Sequence, residues 1–322
     1  MRNAALVLGI LTCLAGIGYG AFVRLTRGTP PPDAPVYTPE PKLSSQDEFD
    51  KLAEKDPVAM LSMCLTKYHQ NKVSCVHFTL EKQERVEGKP KHPAPPPIEL
   101  IDVWVHGDVP DPETKKTAIE VVMKWKQGAK KPLGFGAEIK ASLFSEKSKA
   151  DGGLDGKVIA YRPGAFGGDI GAAMDPNVSL AKTMSRYCIR DAGAYRTLLR
   201  THTAWKARHD AGEFKFEYLG KKPIEKLGGR ECHVIKRICP RLEIDSFELG
   251  GTASNDPKVV AVEGFTEVTL YIDAERWLQL GSELYRTEPD GTRVLVGAYY
   301  FRDVDLKAAP APDTFTAAGL KK

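Results

Sequence analysis

The sequence carries none of the short catalytic signatures that can be read without a structure. It has no serine nucleophile elbow, no H-E-x-x-H, no kinase set and no glycine-rich loop ending in Gly-Lys-Ser/Thr. It has no C-x-x-C pair, and His202 and His209 miss the spacing of four that helical zinc ligands use. No metal is expected, and both histidines are expected to pack against a sheet. No basic stripe interleaved with aromatics occurs, which argues against nucleic acid as a partner. No internal repeat is present. The expectation is a non-enzymatic protein without a cofactor.

Acid is also missing from the first 27 positions. The net charge is +4, but Arg2, Arg24 and Arg27 flank the first hydrophobic segment and leave 43 basic against 42 acidic residues elsewhere. From Ala4 to Val23 there is no charge, and apart from Thr12 and the glycines the stretch is apolar. Twenty residues at about 1.5 Å each just cross a hydrocarbon core. An uncleaved anchor is favoured by that length; a signal peptide cut after Gly18 and Gly20, before Ala21, is the rival. Cys13 offers a third reading, lipidation, for which Thr12 before it is a poor fit. Residues 28–46 are proline-rich and read as an extended tether. The organisation is therefore a hydrophobic anchor or signal segment (1–27), a tether (28–46) and one domain (47–322). With 42% hydrophobic and 27% charged residues, a domain of that length can bury a core without staples.

Asp56 before Pro57 is a helix start, and Val58, Leu61, Leu65 and Tyr68 continue it at helical spacing to about His69. A shorter helix is expected near Asp47 to Ala53. The period then becomes two. Val76, Phe78 and Leu80 alternate with polar residues, as do Ile101, Val103 and Val105, and then Ile119, Val121, Met123 and Trp125. Further strands are expected at Glu138–Ser145, Lys157–Arg162, Glu213–Leu219, Glu231–Cys239, Glu267–Ile272, Trp277–Arg286 and Arg293–Val304. Ala192–Arg208 reads as a helix with Asp191 as its N-cap. Residues 128–136 and 240–262 read as loops or insertions. Strands in consecutive runs imply an α+β fold: a strongly curved antiparallel sheet, an incomplete barrel of about ten strands, covered by two or three helices.

Several segments together resemble a family of bacterial exported domains of unknown function. They are Asp56-Pro57 through Cys64-Leu65 and Tyr68, Lys82-Gln83-Glu84-Arg85, Met123-Lys124-Trp125, Tyr161-Arg162-Pro163-Gly164, Asp175-Pro176, Asp191-Ala192-Gly193, Tyr271-Ile272-Asp273 and Tyr299 to Leu306. The resemblance spans roughly residues 56 to 318. The chain departs from the family pattern at its 240–262 insertion and at Arg276-Trp277. That family is similar in outline to LolA-type lipoprotein carriers, whose curved sheet can hold acyl chains on its concave face. The resemblance implies an extracytoplasmic protein of the bacterial envelope, inner-membrane anchored, or periplasmic if the leader is cut. Its membrane contact is the N-terminal segment.

The implied function is a binding protein holding a lipid, an acyl chain or a lipoprotein segment; a structural or interaction domain of the envelope is the alternative. Val76, Phe78, Leu80, Val103, Val105, Val121, Met123, Trp125, Phe214 and Phe216 are the candidate lining, each with plain core packing as its competing role. On the first strand, Gln83 and Arg85 share one face and Lys82 and Glu84 the other, and Arg85 is placed to hold a carboxylate or headgroup. Cys64, taken to end a helix, and Cys75, opening the next strand, are the candidate disulfide in an exported setting. Pro163–Gly171 reads as a flexible glycine-rich loop.

Overall fold

Helix ends in the first described segment are dictated by single side chains. The computed structural model describes residues 45–86, 96–109, 118–129, 131, 137–165, 168–178, 181, 184–244 and 257–322. The expected anchor and all but the last two residues of the tether lie outside these. Among the described residues no helix is long and apolar enough to cross a membrane. Helix α1 is Gln46–Lys55, and the Ser45 hydroxyl accepts the Glu48 N–H. Asp56 closes α1 and opens α2 (Pro57–Gln70): its carboxylate accepts the Ala59 N–H at 3.0 Å. Asp56→Ala should therefore lower unfolding stability by about 1 kcal/mol in urea titration. An unchanged midpoint and slope would mean that this cap is dispensable.

Ten strands follow: β1 Cys75–Glu84, β2 Glu99–His106, β3 Glu120–Gln127, β4 Ala141–Ser145, β5 Lys157–Tyr161, β6 Lys215–Ile224, β7 Arg230–Glu243, β8 Phe265–Asp273, β9 Gln279–Thr287 and β10 Arg293–Asp305. They form one antiparallel sheet in the order β5-β4-β3-β2-β1-β10-β9-β8-β7-β6. Each hairpin neighbour pairs locally, and the β1–β10 ladder joins the two halves. The sheet stays open, with β5 and β6 as its edges. This is the α+β incomplete barrel that the alternation predicts.

Register explains which side chains meet. Val76, Phe78 and Leu80 face Val105, Val103 and Ile101 across β2, and Val103 and Val105 face Met123 and Val121 on β3. These rows merge with Met60, Leu61, Leu65 and Tyr68 of α2 and with Tyr195, Leu198 and Leu199 of α3 (Ala194–Asp210) in one core. Each buried Val, Leu or Phe there contributes about 1.5–3 kcal/mol. The two helices also touch through Ser62–His202 and His69–Tyr195 hydrogen bonds.

Three expectations need correction. The N-cap residue of α3 is Gly193, and Asp191 ends a short 3-10 turn before it. A glycine offers no side chain, so Asp108, 85 residues earlier, supplies the cap, accepting the N–H groups of Tyr195 (2.8 Å) and Arg196 (3.3 Å). Residues 240–262 are not all loop: β7 runs to Glu243 and a short helix, α4, spans Pro257–Glu263, while 245–256 lie outside the described residues. Cys64 and Cys75 are both free thiols. Cys64 lies within α2 and points into the main core, whereas the strand alternation turns Cys75 away from the face that Val76 and Phe78 share.

Candidate functional site

After β5 the chain turns back along the sheet edge. Ile170 and Met174 make single antiparallel bridges to Tyr161 and Val158. The connection then reaches Ile189, where the 3-10 turn before α3 begins; its described residues, 171–178, 181 and 184–188, form a strap. Arg186 pins the strap: its buried guanidinium donates to the carbonyls of Arg85 and Glu263, each at 3.1 Å.

Between strap and sheet lies a cavity of about 220 Å³. The sheet contributes Leu80, Met123, Trp125, Val158 and Ala160, the strap Met174, Val178, Ala181, Met184 and Tyr187, and α3 contributes Thr197 and Arg200. The lining is mainly apolar. An apolar cavity of roughly 150 Å³ already takes up benzene, and drug-sized ligands use about 300–1,000 Å³. The volume here suits one slender apolar chain rather than a bulky ring system.

One end of the cavity is charged. Lys82, Glu84 and Glu99 all line it and are buried, at 7%, 6% and 2% exposure. Register brings them together, since Lys82 pairs with Glu99 on β2 and with Tyr299 on β10. The Lys82 ammonium lies 3.1 Å from Glu84 and 3.6 Å from Glu99. Tyr299 OH donates to Glu84 at 2.9 Å and Trp125 Nε1 to Glu99 at 2.9 Å. Ser185 of the strap accepts from Lys82 (3.4 Å) and donates to Glu84 (3.2 Å). Buried ions persist only when paired and hydrogen-bonded in this way. Burial opposes the Lys82 charge, but Glu84 and Glu99 outweigh it and hold its pKa above the ordinary lysine value. Gly297, paired with Glu84, makes room: a Cβ there would sit 3.0 Å from the Tyr299 hydroxyl.

Cys188 lines the cavity, but burial, then the nearby Asp191, pushes its thiol up to about 12, so the nucleophilic thiolate is absent near neutral pH. Among the described residues no three His, Cys, Asp or Glu side chains stand where they could share a metal. His202 turns to Ser62 and His209 to Asp210 and Phe214, so they do not converge.

Of the expected lining residues, Leu80, Met123 and Trp125 face the cavity. Val76, Phe78, Val103, Val105 and Val121 are fully buried beneath α2 and α3 in packed core. Phe214 packs at a tilt against Trp205 and Phe216 against Phe214, with centroids 5.3 and 5.7 Å apart, and neither lines this cavity. Arg85 does not reach the cavity either. It lies just past β1, where its Nε donates to the Leu295 carbonyl at 2.6 Å. The cavity belongs to the other pair of the motif, Lys82 and Glu84. The alternation of strand faces could have shown this; the burial of two adjacent charges could not be read from it. The strap residues follow no period, and of them only Asp175-Pro176 carried a sequence signal, as part of the family resemblance. Phe166 and Gly167 of the glycine-rich loop lie outside the described residues.

No protein-family profile matches the chain, and no curated protein matches it. Among solved structures it is similar to a DUF1329 family protein from Desulfovibrio piger, at 11% identity and a TM-score of 0.35, covering 82% of this chain and 99% of that one. It is similar to a putative outer membrane lipoprotein-sorting protein domain from Vibrio parahaemolyticus, at 10% identity and a TM-score of 0.29, covering 80% and 98%. A LolA superfamily protein from Nitrosomonas europaea aligns at 11% identity and a TM-score of 0.31, covering 80% and 97%. Scores this low leave the function to be read from the chain's own residues.

Proposed function

We propose that the chain is a non-enzymatic extracytoplasmic binding protein of the bacterial envelope that holds an apolar chain, from a lipid or an acylated lipoprotein segment, between strap and sheet. The observation that carries this reading is the mainly apolar cavity of about 220 Å³ beside the core. A protein that only needed stability would fill it, since unfilled core volume costs about 24 cal/mol per Å³. The N-terminal hydrophobic segment would tether the domain to the inner membrane, with the proline-rich stretch as its spacer. Lipid extraction and mass spectrometry of gently purified full-length protein should recover a stoichiometric acyl-chain species. Ala160→Trp, which fills the cavity from the β5 side, should reduce its recovery at least about tenfold, the loss expected when a well-fitting apolar group has no room. Equal recovery from both proteins, or none from the natural one, would count decisively against the reading.

A further inference from the structure

The concave face holds a second cavity, of about 290 Å³, between α3 and strands β7 to β9. It shares Tyr187, Arg200 and Ser282 with the first. The two spaces therefore meet at the Tyr187–Arg200 pair, where the guanidinium lies 3.9 Å from the ring centroid. Their characters differ. The second is lined by Arg200, Arg208 and Arg237 against the single carboxylate of Glu243. Glu243 is engaged by Arg237 and, at 3.3 Å, by Arg208, and Arg208 also reaches Glu213 at 2.9 Å. Arg237 is only 3% exposed, yet its Nε has no hydrogen-bond partner among the described residues. A buried guanidinium N–H left unmet is costly, and an anionic oxygen is the group that satisfies it best.

We infer that the ligand is an anionic amphiphile whose apolar chain occupies the first cavity and whose carboxylate or phosphate head occupies the arginine-lined second one. This rests on the reading above that the first cavity takes an apolar chain. Electrostatics fixes the orientation. At its charged end the first cavity sets two buried carboxylates against one ammonium, which disfavours a negative head there. Arg237 lies on the same cross-strand row as Glu84, through Gly297, Leu284 and Val268. Four strand spacings separate them, about 19 Å across the sheet. The head and the carboxylates are thus held apart, and the chain spans the space between.

Short soluble amphiphiles test this by calorimetry on the full chain: octanoate, octyl phosphate, octanol and inorganic phosphate. The better anionic probe should bind at least about tenfold more tightly than octanol, the margin expected of one charged hydrogen-bonded contact. Whether octanoate or octyl phosphate leads identifies the head. Arg208→Gln and Arg237→Gln should each lower that ratio by about tenfold. The comparison of probes on the natural protein needs no variant, so a misfolded one cannot mask the answer. Octanol binding as tightly as both anions would overturn the inference while leaving the apolar-chain reading intact. Inorganic phosphate binding as tightly as octyl phosphate would also overturn it, because the two cavities would not be acting together. Failure of every eight-carbon probe would overturn both.

Discussion

Gly193→Ala is expected to destabilise the domain by about 4 kcal/mol, at the upper end of single-substitution effects. The cause is space rather than backbone freedom. Gly193 has φ −67° and ψ 151°, values open to any residue. A Cβ there would lie 2.0 Å from Oδ1 of Asp108 and 2.4 Å from its carboxyl carbon. Asp108 cannot retreat cheaply: it is 1% exposed and bonds the Tyr195 and Arg196 N–H groups, with the Tyr68 hydroxyl at 3.4 Å. Pushing it aside uncaps α3 and strands a buried carboxylate. Asp108→Ala alone should cost about 3 kcal/mol, because it leaves two buried N–H groups unmet. The double variant gives the sharper test. Once the carboxylate is gone, the added methyl group meets no obstacle, so Gly193→Ala should cost under about 1 kcal/mol in that background. Urea titrations of all four proteins measure the coupling. Simple additivity would show that the close approach of Gly193 to Asp108 is not what fixes the start of α3.

Much of this architecture could be read from the sequence because it is local. Helix α2 was expected from Asp56-Pro57 to about His69 and runs Pro57–Gln70; the helix expected at 192–208 is Ala194–Asp210. Period-two rows such as Val76, Phe78 and Leu80 read as half-buried strands, and the short connections of β6–β7, β8–β9 and β9–β10 make those neighbours antiparallel. What escaped is non-local. The sequence gives no sign of which part of the apolar face is roofed by helices and which by the strap, so packed Phe78 and cavity-facing Leu80 look alike. The sequence places Lys82 and Glu84 on one strand face without showing that they are buried; only their placement beside Glu99 and Tyr299 from other strands makes them a buried network. The cap of α3 is a tertiary contact, and Asp191, adjacent in sequence, was the natural but mistaken choice. The arginines of the second cavity come from α3 and β7, and no spacing joins them in the chain.

Acid should loosen the same helix. His202 of α3 is buried against α2, with Nε2 2.9 Å from the Ser62 hydroxyl oxygen. Burial, helped by the Lys206 charge and opposed by Asp210, lowers its pKa from 6.5 to about 4. Between those values the unfolded chain binds a proton that the folded chain excludes. Stability is therefore complete above pH 6.5 and is lost as the pH falls toward 4. At 1.36 kcal/mol per unit the loss is about 3 kcal/mol. His69 and His233, whose pKa values burial also lowers, act in the same direction. The carboxylates held below their usual range, such as Asp102 and Glu120, lose their contribution only at still lower pH. Urea titrations between pH 7.5 and 4.5 should show the fall in the natural protein and a markedly shallower one in His202→Gln, whose amide keeps a hydrogen-bonding group near Ser62 without titrating. Parallel slopes would remove His202 as the source. The place of loss matters because α3 supplies Thr197 and Arg200 to the cavity wall. Protonation that weakens the α2–α3 contact weakens that wall first, so ligand retention should decline with pH before the sheet unfolds.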